Sequence, residues 1–234
     1  MAKKKQHNLS IRVTNREQIW GFAYLLVSLF VLPSLLNWAN GFLPVPLSGA
    51  WLNFIYFSLN FVFIFWIFAG FFKRSLIHIG QNVGSFLVAV LVGCGIYLLC
   101  SWAISWLIHC FFQDFSNLND ETIASMAHGN FAISFLGTVF LVPIAEEALH
   151  RGLVFGSLYP KSHAAAYMFS TIIFTVVHVM GYIGVYSPLH LALACLQYLP
   201  AGLILARAYR KSGSIFAPIL IHMTVNTIGM LSLR

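Results

Sequence analysis

Seven apolar runs occupy most of this 234-residue chain, and each is long enough to cross a bilayer. About 20 apolar residues in a helix span roughly 30 Å of hydrocarbon. Helices and closed barrels alone satisfy every backbone polar group inside lipid, and runs of this length predict helices. The predicted fold class is therefore all-α, a polytopic transmembrane helical bundle of about seven spans. Eight is the alternative, because the third run is long enough to break in two. The predicted spans are 18–37, 50–72, 83–112, 131–158, 163–183, 188–209 and 214–233.

Composition excludes a soluble catalytic module. Hydrophobic residues make up 59% of the chain and charged residues 8%, whereas about a quarter of the residues in soluble domains are charged. The net charge of +7 comes from a short lysine run and from cations scattered between the apolar runs. The sequence shows no basic patch with interspersed aromatic residues, which would be typical of a nucleic-acid-binding surface. No nucleic-acid partner is expected. The four cysteines show no CxxC and no metal-ligand spacing, so we expect core residues and no disulfides.

The basic residues predict the orientation of the chain in the membrane. With seven spans, the Lys and Arg clusters before span one and after spans two, four and six all fall on one side. The loops on the other side carry Asp114, Asp120 and Glu121 but no Lys or Arg before Arg234. The positive-inside rule then predicts a cytoplasmic, basic N-terminus at 1–17 and transmembrane helices over 18–130 and beyond, in the plasma membrane. The first run is longer than a signal-peptide core and is expected to be an uncleaved span.

An adjacent pair of glutamates, Glu146 and Glu147, lies inside the fourth apolar run. A charge at the centre of a membrane costs at least ~2.5–3.5 kcal/mol, so this pair is the default active site. Glu147 and Arg151 are four residues apart and are predicted to pair on one helix face, while Glu146 points about 100° away. The structural alternative is an ion pair that joins two helices, which requires one glutamate only.

Two histidines, His178 and His222, also lie within apolar runs, whereas the other histidines lie in loops or near span ends. A single histidine in a membrane helix is as typical of a helix–helix hydrogen bond as of catalysis. Two of them in the same chain as a buried glutamate pair favour a site. His222 and Asn226 share one helix face, and Phe174 shares a face with His178 in the same way.

Together these side chains supply a general base and several hydrogen-bond donors, which suit hydrolysis of an amide by an activated water. The sequence contains neither HExxH nor GxSxG, and no serine or cysteine lies at a recognisable nucleophile position, so a covalent acyl-enzyme is the less natural interpretation. Buried Glu and His also build proton relays, which leaves a proton-coupled transporter as a weaker alternative. No internal repeat of the kind transporters use is detectable.

Three motifs follow one another on separate predicted spans. They are EExxxRG at 146–152, FxxxH at 174–178, and HxxxN at 222–226, the last preceded by SGSIFAPILIH. In this order they resemble the motifs of the CAAX protease and bacteriocin-processing family, also called CPBP or Abi, which includes the type II CAAX prenyl endopeptidases. The similarity covers about residues 131–230 and implies an all-helical catalytic region over 131–234.

The resemblance implies roles for four of these side chains. Glu146 and His178 would hold and activate the attacking water, and His222 and Asn226 would form the oxyanion site. The family is often labelled a metalloprotease. The resemblance leaves a divalent metal such as zinc open, with Glu146, His178 and His222 as its ligands, and implies no other cofactor.

Glu147 and Arg151 would orient these groups as supporting residues. The position before the arginine is often bulky and apolar or aromatic in the family, but here it is His150. Because His150 lies four residues after Glu146, it is expected to perturb that carboxylate or to act as an extra polar ligand.

The expected function is an intramembrane endopeptidase, glutamate- or metal-dependent, that cleaves a membrane-proximal or lipidated peptide with a Glu/His-activated water. The expected partners are that peptide, the lipid bilayer and another membrane protein. The alternative is a non-catalytic membrane regulator or a bacteriocin-immunity protein that binds another membrane protein such as a sensor kinase. His150 and the lack of a soluble substrate-reading domain favour it mildly.

A rise of ~1.5 Å per residue along straight helices would place His178 nearer the outer side than Glu146 and His222. Straight helices would therefore keep the three side chains apart. Pro143 is expected to kink the fourth span.

Overall fold

The computed structural model describes residues 9–233, and within this range every regular element is a helix. Residues 1–8, with Lys3, Lys4 and Lys5 of the predicted basic N-terminus, and Arg234 lie outside the described residues. The helices are α1 Asn15–Asn40, α2 Gly49–Gln81, α3 Val83–Phe111, α4 Leu118–Gly129, α5 Phe131–Leu158, α6 His163–Tyr182, α7 Pro188–Ser212 and α8 Phe216–Ser232.

Six of these helices are long and apolar enough to cross a membrane, and α8 is a shorter apolar helix of 17 residues. The structure thus confirms a polytopic helical bundle of about seven spans. The third predicted span forms the single helix α3, without the break that an eighth span would require. Inside the bundle, α7 packs against α3, α6 and α8, while α5 packs against α1, α2, α6 and α8.

The sequence patterns did not predict α4, because its 12 residues are too short and too polar for a span. The Asn117 side chain caps the helix by accepting hydrogen bonds from the backbone N–H groups of Asn119 and Asp120, a favourable arrangement at a helix start. Asp120 and Glu121 lie in the first turn, where the helix dipole favours negative charge.

The four cysteines are free thiols, but the prediction that they are core residues is wrong. Cys110 is exposed, and the other three are only partly buried. The physical reason is that the outside of a membrane bundle faces hydrocarbon, which accepts apolar side chains as well as the protein interior does.

Pro143 widens α5 into a π-helical turn instead of producing a simple bend. Over Gly137–Leu141 the hydrogen bonds join residues five apart, and the Val142 N–H donates to the Gly137 carbonyl. In the same register the Thr138 carbonyl would accept from residue 143, but proline has no N–H. The Asn226 side chain on α8 donates to this carbonyl at 2.8 Å, so a membrane-buried acceptor is satisfied from a neighbouring helix.

The same arrangement recurs in α1. A π turn over Val27–Val31 precedes Pro33, and the Leu32 N–H donates to the Val27 carbonyl. Proline again removes the donor that Ser28 would use, and the Tyr56 hydroxyl on α2 donates to the Ser28 carbonyl at 3.0 Å. Both turns therefore tie a broken helix to its neighbour.

Glycines allow the closest helix contacts around the site. A Cβ atom at Gly152 of α5 would lie 2.9 Å from the Phe71 ring of α2, and one at Gly202 of α7 would lie 2.4 Å from Thr171 of α6. Either distance is too short for a real Cβ contact, so α5 and α7 approach their neighbours more closely than any larger residue allows.

Contacts between the connections show that the helices alternate in direction. At one end, the Ser214 hydroxyl donates to the Ser75 carbonyl and joins the α7–α8 turn to the end of α2. At the other end, the His190 ring bonds the Ser116 carbonyl, which joins the start of α7 to the segment before α4. These contacts match the up-and-down order that seven spans predict.

Candidate active site

Glu146 and Glu147 end the regular helical turn Val142–Glu147 of α5, and the next eight residues, Ala148–Phe155, form a second π-helical segment. Such segments are rare and often occur at functional sites. The two carboxylates have different surroundings. The Glu147 side chain is completely buried, whereas 23% of the Glu146 side chain is exposed. The adjacent pair thus supplies one internal and one accessible carboxylate.

Glu147 forms the predicted ion pair with Arg151. The Arg151 Nη1 atom donates to Glu147 Oε1 at 2.8 Å, and both side chains are fully buried. The His222 Nδ1 atom lies 3.0 Å from the same oxygen, so Glu147 also joins α8 to α5. One carboxylate oxygen therefore accepts from two cationic or potentially cationic groups, which compensates its burial.

Arg151 also connects α5 to α6 and α7. Its Nη2 atom donates to the Ala201 carbonyl at 3.1 Å, and its guanidinium carbon lies 4.2 Å from the centre of the Phe174 ring. An arginine over an aromatic face gains cation–π energy, especially when it is desolvated. Arg151 is thus held by an anion, a backbone dipole and an aromatic ring.

Glu146 faces His178. The distance between Glu146 Oε2 and His178 Nε2 is 3.8 Å, and this oxygen has no hydrogen-bond partner among residues 9–233. The His178 Nδ1–H donates to the Phe174 carbonyl at 2.7 Å. When the ring carries one proton, this bond places it on Nδ1, so the Nε2 lone pair is on the side of Glu146.

His150 bonds the backbone of Glu146 and not its carboxylate. Its Nδ1–H donates to the Glu146 carbonyl at 2.8 Å, and 2% of the residue is exposed. The ring stands edge-on to Phe174, with centroids 5.3 Å apart. His150 therefore supports the π-helical segment that carries the two glutamates.

The candidate residues form two adjacent groups and not a single one. Glu146 and His178 form an outer pair, while Glu147, Arg151 and His222 form an inner cluster. Within residues 9–233, Asn226 forms no hydrogen bond to either group, and one of its Nδ2 hydrogens is used by the Thr138 carbonyl. Glu146 and His178 lie within 3.8 Å of each other, so the separation that straight helices would impose does not occur.

Phe174 is the shared wall between the two groups. Its ring centre lies 4.5 Å from that of His178 and 6.2 Å from that of His222, and the residue is 1% exposed. The sequence indicated Phe174 only by its spacing from His178. Its contact with Arg151 could not be predicted, because it depends on how α5 and α6 cross.

Sequence reasoning missed Tyr198 of α7 altogether. Its ring centre lies 4.4 Å from that of His178, and its hydroxyl donates to Asn117 Oδ1 at 3.1 Å, just before α4. No spacing rule links a tyrosine near the middle of one span to a histidine in another. Tyr198 therefore connects the outer pair to the polar segment that precedes α4.

The residues do not fit the three-ligand metal site that was left open. Within residues 9–233 no group of three or more His, Cys, Asp or Glu side chains is arranged to hold a metal ion. The His222 Nδ1 atom lies 3.0 Å from Glu147 Oε1, so this nitrogen is not available to a metal held by Glu146 and His178. We therefore derive no catalytic step through a metal.

A comparison with protein families identifies the C-terminal region. Residues 128–228 match the model of the Rce1-like type II CAAX prenyl endopeptidases. This region of the chain is similar to that family. The match covers α5 to α8 except the last few residues, and contains all six candidate residues. No curated protein and no solved structure matches the chain.

The Rce1-like match supports an intramembrane protease of the CAAX type, and the apolar helices support an integral membrane protein. A protease of this class acts on membrane-associated peptides. The Rce1-like region supplies every side chain of the outer pair and the inner cluster, while α1 and α2 pack against α5.

Proposed function

We propose that this protein is an intramembrane endopeptidase that hydrolyses a peptide bond of a membrane-proximal or lipidated peptide, with Glu146 as the general base. The observation that carries the proposal is the outer pair. Two lone-pair acceptors, Glu146 Oε2 and His178 Nε2, lie 3.8 Å apart. The Glu146 side chain is partly exposed, whereas that of Glu147 is fully buried. One water molecule can donate a hydrogen bond to each of them.

In the proposed reaction, Glu146 removes a proton from this water while the water oxygen forms a bond to the scissile carbonyl carbon. The protonated Glu146 then delivers that proton to the amide nitrogen as the C–N bond breaks. The products are a new carboxylate and a free amine, so protons and bonds balance. General-base catalysis of this kind contributes typically 10²–10⁴-fold.

The oxyanion that forms on the carbonyl requires hydrogen-bond donors. Asn226 uses one Nδ2 hydrogen for the Thr138 carbonyl and keeps a second. His222 is held by Glu147 through Nδ1, so its other ring nitrogen is the second proposed donor when the ring carries both protons. Donors that are fixed before the reaction stabilise developing charge without reorganisation.

The proposal is tested by peptide cleavage in nanodiscs containing the full chain. Glu146→Gln and His178→Ala should each lower kcat/KM for a fluorescence-quenched prenyl-CAAX peptide by at least about 100-fold, as expected for loss of a general base. Thermal unfolding of the same samples shows whether either variant is misfolded.

Matched controls are available. His109 makes the same bond to its own helix as His178, with Nδ1 at 2.8 Å from the Ser105 carbonyl, but it lies on α3 at an exposed position. His109→Ala and Glu121→Gln should keep wild-type kcat/KM. Wild-type turnover in Glu146→Gln would refute the assignment. A wild-type chain that binds another membrane protein but cleaves no peptide would support the regulator instead.

A further inference from the structure

A cleft lies away from Glu146 and Glu147, at the end of the bundle where the start of α1, the last turns of α2 and the end of α5 meet. Its volume is about 640 Å³, within the range of small-molecule sites. Gly156 of α5 lines this cleft, ten residues beyond Glu146. At ~1.5 Å per residue along a helix the two positions are about 15 Å apart.

The cleft is positively charged. Arg12, Arg74 and Lys161 line it, and none of its lining residues is acidic. Arg74 is neutralised by Glu17, whose Oε2 atom accepts from Arg74 Nη2 at 2.6 Å. Arg12 and Lys161 have no carboxylate partner within residues 9–233, so the cleft carries two uncompensated cations. Their exposed side chains are free to contact a ligand.

The remaining lining residues supply neutral hydrogen-bonding groups. Asn15, Gln18 and Ser157 line the cleft, and the Ser157 hydroxyl is buried without a partner in the described part of the chain. Two cations with several neutral donors in a pocket of this size suit a phosphate group. A single carboxylate would leave most of these donors unused.

The position of the cleft indicates where that phosphate comes from. Arg12 precedes the first residue of α1 by three positions, and Lys161 lies in the turn between α5 and α6. Both cations are therefore at the level where the spans leave the hydrocarbon, which is the level of lipid headgroups. We propose that this cleft binds the phosphate of an anionic phospholipid headgroup. The inference is independent of the proposed proteolysis.

The test measures binding of phosphatidylglycerol to the full chain in neutral detergent, by native mass spectrometry. Each juxtamembrane cation contributes about a fivefold change in affinity for an anionic lipid surface. Arg12→Gln and Lys161→Gln should each weaken binding about fivefold, and the double variant about 25-fold. Phosphatidylcholine, whose headgroup has no net charge, should bind more weakly to the wild type.

The matched controls are Arg16→Gln and Lys211→Gln, which remove exposed cations that do not line the cleft. Both should keep phosphatidylglycerol affinity within twofold of the wild type. Equal weakening in all four single variants would mean attraction to general positive charge and would overturn the site. Inorganic phosphate that raises the unfolding temperature when phosphatidylglycerol does not would overturn the lipid as its source.

Discussion

Arg151 illustrates how a charge is accommodated in this bundle. The side chain is fully buried, and its compensation comes from the Glu147 carboxylate, the Ala201 carbonyl and the Phe174 ring. Three different helices supply these groups. A substitution of Arg151 therefore affects the folded state in two ways, through lost contacts between helices and through the charge left on Glu147.

Arg151→Met should lower the free energy of unfolding by about 3–5 kcal/mol, because it leaves a buried carboxylate without its main partner. Adding Glu147→Gln should recover much of that loss, yet proteolysis should remain low if the pair orients the catalytic groups. Thermal unfolding in detergent of both single variants and the double variant gives the coupling energy, expected at ~0.5–3 kcal/mol.

The Glu17–Arg74 pair is the control, since 37% of the Arg74 side chain and 9% of the Glu17 side chain are exposed, whereas the Glu147–Arg151 pair is fully buried. Exposed pairs typically contribute about 0.2–1 kcal/mol. Coupling for Glu147 and Arg151 no larger than that of the control pair would contradict the proposed support, and strictly additive losses would make Glu147 a candidate for direct catalysis.

At the scale of the helix, two prolines create carbonyl groups that only another helix can satisfy. The Ser28 carbonyl is bound by Tyr56, and the Thr138 carbonyl is bound by Asn226. Because Asn226 is also a candidate oxyanion donor, a substitution of it is expected to change both stability and activity. Tyr56 is not one of the candidate site residues, so its substitution gives a cleaner measurement of stability.

Tyr56→Phe should destabilise the wild-type chain by about 0.6–1.7 kcal/mol, the range of interhelical hydrogen bonds in membranes. In a Pro33→Ala background the new N–H can bond the Ser28 carbonyl within α1, so the same substitution should cost almost nothing. Unfolding in detergent of all four combinations measures the difference. An equal loss in both backgrounds would show that the proline is not the reason for the bond.

At the scale of the whole molecule, the contacts between connections place the helices in alternating directions, but they do not say which end is cytoplasmic. The positive-inside rule predicts that the end with Arg74 and Lys161 faces the cytoplasm. At this end, Ser75 and Ser212 are buried and therefore unsuitable for labelling. Ser162 and Lys211 are exposed and can be labelled.

Single cysteines in a background without the native four should therefore label in two groups. Cysteines at Ser48 and Ser187 should react with an impermeant maleimide from outside the cell, and cysteines at Ser162 and Lys211 only after lysis. Reaction of a cysteine at Lys211 in intact cells would refute the predicted orientation. Mixed reaction within one group would refute the seven-span order itself.

The sequence by itself determined the membrane class, the spans and the six candidate residues. Apolar runs report the spans because lipid leaves the backbone no alternative to helical hydrogen bonding. The Glu147–Arg151 pair was predictable because both partners lie on one helix, where spacing fixes distance. The helix α4 was not, since a short polar helix has no apolar period to reveal it.

Only the tertiary structure decided how the candidate residues are divided. Glu146 meets His178 and Glu147 meets His222 because the π-helical segments and the crossing of α5 with α6 and α8 set which faces meet. The roles of Phe174 and Tyr198 follow from the same crossings. Spacing along a chain constrains neighbours within a helix, but contacts between helices depend on packing, which the pattern of apolar residues does not encode.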